Sequence, residues 1–190
     1  MQEELLKIIA IEAKKISDSN PLYPITQHVY LTRDKGMELA EKLNGNKYIV
    51  EIGTYLMDCE IGKAIKEGRI QDHIQLSFQK AKELFDKYPE LDSDIRTNLE
   101  QCILQHHGVL KFHSIEAEIC CNADCYRFAS LKGVALALRY FRDYEFLSLI
   151  TLLSSKLEEK HSLMSLSICK AELEPQYPLI KELFNSALAS

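Results

Sequence analysis

The sequence predicts an all-α protein, a single-domain helical bundle spanning residues 1–190. Three observations carry this. Apolar residues recur at three- and four-residue spacing along most of the chain, the period of helices with one buried face. The breaks between these stretches carry helix-ending or helix-starting chemistry: Pro, Asn-Gly, or an Asp or Ser in a capping position. Nowhere do several alternating β-branched runs occur together, so no sheet is expected.

Leu5, Ile8, Ile9 and Ala13 form the stripe of a first helix. Pro21 and Pro24 then break the chain, and Thr26 caps a second helix running to about Leu43, with Val29, Met37 and Ala40 among its apolar positions. Asn44-Gly45-Asn46 is a turn. Tyr48 to Asp58 is a third helix, mostly apolar and therefore central. Gly62 and Gly68 bracket a loop, and Asp72 caps a helix carrying Ile74, Phe78, Ala81, Leu84 and Phe85. Pro89 ends that region. Asp92 or Ser93 opens a helix through Ile95, Leu99, Cys102 and Ile103 to His106. Ser114, with Ala117 and Glu118 behind it, starts another that continues towards Ala129. Two or three further helices cover Val134 to Ala189, with Pro175 and Pro178 as breaks.

Composition narrows the function classes. Apolar residues make up 46% of the chain, enough to fill a sizeable core, and the net charge of −5 argues against a nucleic-acid backbone as the main partner. Basic residues can still line a local pocket for a small anion. The opening stretch MQEELLKIIAIEAKK is charged throughout, unlike a signal peptide, and the apolar segment Phe146 to Leu153 is far too short to span a bilayer. The expectation is a cytoplasmic protein with no membrane association. Its apolar C-terminal helices either bury against the same chain or form a homodimer contact.

The six cysteines, Cys59, Cys102, Cys120, Cys121, Cys125 and Cys169, read as reduced, buried, small apolar residues. Cys121 and Cys125 share a helical face, but no second pair exists to complete a structural zinc site, so core packing is the better account. His113 and His161 lack any partner in sequence and are expected at the surface.

Four polar groups sit oddly in this frame. His28 lies in the first turn of the second helix. Asp58 ends an apolar helix. His106-His107 end another, in "CILQHHG". Asp124 lies within "ICCNADCYRFA". Each is a good metal ligand on a helix that must pack in the core, where an unpaired carboxylate is costly. A divalent metal would account for them together. Singly, Asp58 and His28 can face water and Asp124 can pair with Arg127 one turn on.

The order of these groups, carried by "HVYLTRDKGMELAEKL", "YLMDCEIGKA", "DHIQLSFQKAKELF", "CILQHHG" and "SIEAEICCNADCYRFASLKGVALALRYF", resembles the HD-domain superfamily of metal-dependent phosphohydrolases. The resemblance covers about residues 24–142, and the later "EEKHSLM" is similar to the C-terminal helix of small members. It implies an all-helical core holding one or two divalent metals between helices. His28, Asp58 and Asp124 would be ligands of the first metal. The His of the family's His-Asp pair falls on Met57, whose soft thioether binds such ions poorly and removes a ligand. "DCEIG" is also two residues longer than the family's short D-x-G. His73 and His106, or His107, would hold a second metal or position phosphate, although His107 is expected to face solvent beside a core-facing His106. Imidazole ligands favour Mn, Fe, Ni, Co or Zn over Mg. Lys63, after Gly62, is the favoured phosphate-binding cation, with Arg69 and Arg33 behind it.

Two functional expectations follow. One is hydrolysis of a phosphate monoester, a nucleotide or related small metabolite, with Asp58, Lys63 and His73 in catalytic roles. The other is a catalytically degenerate HD fold that binds a nucleotide or protein partner without turnover.

Overall fold

The computed structural model describes residues 1–19 and 23–189, with side chains described up to residue 19 and from residue 28 onward. Its helices run in the order α1 (Gln2–Asp18), α2 (Tyr23–Lys42), α3 (Lys47–Leu56), α4 (Ile61–Lys66), a 3₁₀ turn (Ile70–Asp72), α5 (His73–Phe85), α6 (Ser93–Leu104), α7 (Ile115–Ala129), α8 (Leu131–Tyr140), α9 (Phe146–Leu163), α10 (Ser167–Leu173) and α11 (Tyr177–Leu188). No strand occurs among the described residues. The protein is all-α, as the periodicity predicts.

Local capping sets several boundaries. Asn44 takes a positive φ of 55° in the expected turn, and the Asn46 side chain accepts from the Tyr48 and Ile49 amides to start α3. Asp92, of the two candidates, caps α6 through the Asp94 and Ile95 amides. Ser114 caps α7 through the Ala117 amide. Asp72 stands at the start of α5 but does not cap it: its carboxylate takes the Arg69 guanidinium at 2.9 Å instead.

Other boundaries differ from expectation. α2 begins at Tyr23, so Pro24 starts a helix rather than breaking one, as a proline in a first turn can. The expected Thr26 cap falls where side chains lie outside the described residues. α3 stops at Leu56, and Met57 to Glu60 turn the chain into α4, which contains Gly62. The segment between Gly62 and Gly68 is therefore mostly helix, not loop. Four helices, not two or three, cover the C-terminal region, and Pro178 lies in the first turn of α11. Ile8, placed on the α1 stripe, is 51% exposed, while Leu5, Leu6, Ile9 and Ala13 are buried.

α7 is the hub, packed against α2, α3, α6, α8 and α9. It is buried on nearly all sides, so its polar residues must find partners inside the protein. Asn122 does so with the chain beyond α9: its amide donates to Ser165 Oγ at 2.8 Å, and its carbonyl accepts from the Ser165 and Leu166 amides. This clamp ties the end of α9 to α7. α3 is the second central helix, against α1, α2, α6 and α7. Gly53 allows the approach, since a Cβ there would lie 2.8 Å from Cys102 Cβ and 2.9 Å from Cys120 Sγ. At the outer edge α11 packs on α9 through buried Ile180 and Phe184, while Leu179, Leu183 and Leu188 stay exposed.

Candidate functional site

The ends of α3, α5 and α6 meet the middle of α7 and the C-terminal half of α9, and their polar residues share one buried region. Asp58 is 1% exposed, and Asp124 and His106 are fully buried. Arg127, one turn beyond Asp124 on α7, lies between the two carboxylates. Its Nη2 is 2.5 Å from Asp58 Oδ2 and also contacts Asp124 Oδ1. Lys160, 1% exposed on α9, places Nζ 2.7 Å from Asp124 Oδ2 and 3.3 Å from Glu159 Oε1. Lys156 reaches Glu159 at 2.7 Å, and His107 approaches it at 3.8 Å. The sequence alternative in which Asp124 pairs with Arg127 is the arrangement observed.

The charges explain the protonation. Burial is the largest single influence and would raise Asp58 and Asp124, but Arg127 and His106 together outweigh it at Asp58, and Arg127, Lys160 and His106 together at Asp124, so both stay ionised. Burial alone would lower Arg127 and Lys160, and the carboxylates instead hold both above their ordinary values. His28 is pushed down to about 4 by burial and then by Arg127, and His107 to about 3 by burial, His106 and Lys160. Both are neutral imidazoles at ordinary pH.

The histidines form the second half of the site. His73 Nδ1 and His106 Nδ1 each lie 2.6 Å from a backbone carbonyl three residues earlier, Ile70 O and Ile103 O. A carbonyl only accepts, so each Nδ1 carries a proton and each ring turns its Nε2 inward. Both Nε2 atoms are 3.5 Å from the same atom, Asp58 Oδ1. Asp58 Oδ1 and His106 Nε2 have no hydrogen-bond partner. A carboxylate oxygen and two inward-facing imidazole nitrogens in one buried place form a donor set that could hold a cation. Two ligands on a tetrahedral ion with bonds of about 2.0–2.2 Å are about 3.3–3.6 Å apart, so the spacing fits a metal. The Nδ1–H to carbonyl contacts fix the orientation of both rings, as such outer contacts would for imidazoles holding a metal. His107 joins the group, with donor nitrogens of His73, His106 and His107 all within 4.8 Å of one another.

The two expected metal positions thus fare differently. His28, Asp58 and Asp124 reach the same region, but Arg127 fills the gap between the carboxylates. His28 instead packs against Phe128 and Phe141, with ring centroids at 6.0 and 5.5 Å, and its Nε2 has no partner. Met57 is 1% exposed and belongs to the hydrophobic core. The residues proposed for a second metal are the ones whose donor atoms converge. His107 is a correction: α6 ends at Leu104, so His106 and His107 lie in a turn where helical spacing no longer separates their faces. Their rings are 4.5 Å apart, and His107 lines the site. Gly108, at φ +84°, lets the chain leave this turn.

Lys63 is a second correction. It is half-exposed beside Glu60, 3.9 Å away, while α4 buries Gly62 and Ala64 instead. Arg69 pairs with Asp72 and Glu67, and Arg33 with Glu51 and Asp34, all away from the site. The cations that reach it, Arg127, Lys156 and Lys160, were not assigned as site residues from sequence; only "EEKHSLM", which contains Lys160, signalled that this helix belongs with the rest. All six cysteines are buried, as expected. His113 is exposed, whereas His161 is half-buried, stacked on Tyr177 at 3.9 Å.

These groups floor a cavity of about 470 Å³, within the range of small-molecule sites. Its walls come from Ile61 and Ile65 of α4, Phe128 of α7, Phe141, Tyr144, and Leu149, Leu152 and Leu153 of α9. Among the described residues no helix is long and apolar enough to cross a membrane. No family model, no curated protein and no solved structure matches this chain.

Proposed function

We propose that the protein is an HD-type, divalent-metal-dependent phosphohydrolase acting on a phosphate monoester, with its metal held by Asp58, His73 and His106 and with His107 beside them. One observation carries this reading: two buried imidazoles, oriented by backbone carbonyls at Nδ1, aim their Nε2 atoms at one carboxylate oxygen that has no hydrogen-bond partner. Mn, Fe, Ni, Co or Zn suits this donor set better than Mg. Held there, such an ion would lower the pKa of a bound water and polarise a phosphoryl oxygen.

The chain's own residues supply the rest. Arg127 and Lys160 bring two fixed positive charges to the cavity floor, suited to the oxygens of a phosphate. Lys156, a third of whose side chain is exposed, stands nearer the entrance. Asp58 is shared: Oδ2 holds Arg127, and Oδ1 faces the histidines, so the carboxylate sets the distance between the guanidinium and the metal position. The apolar walls limit water access.

A second reading, binding without turnover, is favoured by Arg127. A guanidinium already neutralises the carboxylates that the first metal would need. Elemental analysis of purified protein beside His106→Gln, together with a phosphatase screen in Mn²⁺, Co²⁺ or Ni²⁺, tests both. The hydrolase reading expects about one bound metal, lost in His106→Gln, and metal-dependent turnover. Bound metal with no turnover of any phosphate ester selects the binding reading. No metal in either protein removes the metal centre.

A further inference from the structure

We propose that the ligand of this cavity is an amphiphile, an anionic phosphate-type head carrying an alkyl chain, and not a nucleotide. The proposal rests on the reading of the cavity floor as a phosphate site and names the substrate class for it. The polarity of the cavity is segregated. Asp58, His73, His107, Arg127 and Lys160 stand at the floor, and the walls above them are aliphatic and aromatic. Among the described residues, no Asn, Gln, Ser, Thr or Glu lines the cavity.

That absence bears on substrate class. A nucleotide brings ribose hydroxyls and a base edge with several donors and acceptors. Buried against Ile61, Ile65, Leu149 and Leu153 these would lose their water without replacement, at about 1–3 kcal/mol each. An alkyl chain incurs no such loss and gains from every methylene removed from water. Above the floor the polar groups among the described residues are the Lys156 ammonium and Tyr144 hydroxyl towards the entrance and, deeper, His28, 3% exposed, whose Nε2, without a hydrogen-bond partner, can meet a single ester or hydroxyl oxygen.

The mouth points the same way. Ile65, Ile70, Tyr144 and Leu152 line the cavity and yet are 42–53% exposed, so the apolar surface continues from the walls to the rim. A contiguous exposed apolar surface at the entrance of a concave site marks where a ligand is covered. A chain rising from the floor would lie against it.

The test is binding of a non-hydrolysable series, ethyl-, butyl-, hexyl-, octyl- and decylphosphonate, by calorimetry on the intact protein in Mn²⁺, with a nucleoside monophosphate alongside. Affinity should rise by roughly 3- to 4-fold per methylene until the walls are filled, then level off. The nucleotide should bind no more tightly than ethylphosphonate. Ile65→Ser and Leu152→Ser, at half-exposed positions that folding tolerates, should weaken decylphosphonate at least 5-fold and leave ethylphosphonate unchanged. A flat series, no binding by any phosphonate, or a nucleotide that outbinds the long chains overturns the proposal. Failure of the underlying reading looks different. A chain-length slope without turnover of the matching phosphate esters keeps the amphiphile and removes the hydrolase. Turnover of nucleoside monophosphates without a slope does the reverse.

Discussion

Replacing Arg127 with Met should convert a self-sufficient salt-bridge network into one that needs a metal. The Arg127 side chain is 6% exposed, and one of its nitrogens, Nη2, touches both Asp58 Oδ2 and Asp124 Oδ1. The two carboxylate oxygens therefore lie within about 5 Å of each other. Without the guanidinium they repel by about 3 kcal/mol or more at an effective dielectric constant of 20. Lys160 still contacts Asp124, but Asp58 keeps only the long histidine contacts. Breaking a buried pair from one side typically costs about 3–5 kcal/mol, in line with that figure. For a chain of this size each kcal/mol lowers Tm by about 2–4 °C, so Arg127→Met in EDTA should melt roughly 10 °C below the parent. Mn²⁺ or Zn²⁺ should then restore most of the loss, since a cation at 1,000 times its Kd contributes about 4 kcal/mol. Differential scanning fluorimetry with and without metal reads both effects. A variant within 2 °C of the parent in EDTA would refute the argument, because the carboxylates would then not converge on that nitrogen. A 10 °C drop that no metal repairs would keep the pair but deny that the gap suits a metal ion.

Lys63→Ala should leave Tm and phosphonate affinity unchanged within error, because the ammonium faces solvent. Lys160→Met should lower Tm by several degrees and weaken ethylphosphonate more than 10-fold, since its ammonium is buried against Asp124 and lines the cavity. His28 titrates at about 4 in the folded protein and near 6.5 when unfolded, so the unfolded chain binds the proton first and stability falls as pH drops from 6.5 towards 4. Urea unfolding of metal-free protein at pH 7 and pH 5 should therefore show a fall about 2 kcal/mol smaller in His28→Leu than in the parent; equal falls would assign the acid sensitivity elsewhere. Gly53→Ala should cost about 1–3 kcal/mol, measured as a lower urea midpoint at unchanged slope, because the new methyl meets Cys102 and Cys120 at under 3 Å.

Much of this protein was readable from local chemistry. The all-α class follows from apolar periodicity, and the starts of α3, α6 and α7 follow from side chains that satisfy amides two or three residues ahead. The oddity of Asp58, His106 and Asp124 was equally legible, since a polar residue on an apolar face announces that it needs a partner. What that partner would be was not legible in the same way. Asp124 and Arg127 are three residues apart, but nothing within α7 says that Asp58, 69 residues away, shares the same guanidinium. Lys160 comes from a helix held to α7 by the Asn122 clamp. His107 was misjudged because helical spacing was extended past Leu104, where the helix had ended. Lys63 lies away from the site because proximity in sequence to Asp58 does not fix the facing of a short helix, whose buried residues are Gly62 and Ala64.

Local chemistry along the chain carried the all-α class, several helix starts, the burial of the cysteines and the set of histidines and carboxylates able to ligate a metal, because each is a property of a residue and its near neighbours. Only the tertiary structure decided which of them share atoms. It put Arg127 between two carboxylates, turned His73 and His106 onto one oxygen and raised an apolar wall above them. Those outcomes depend on charge and burial summed over helices far apart in the chain, and the Coulomb and desolvation energies that govern them exist only once the helices have packed.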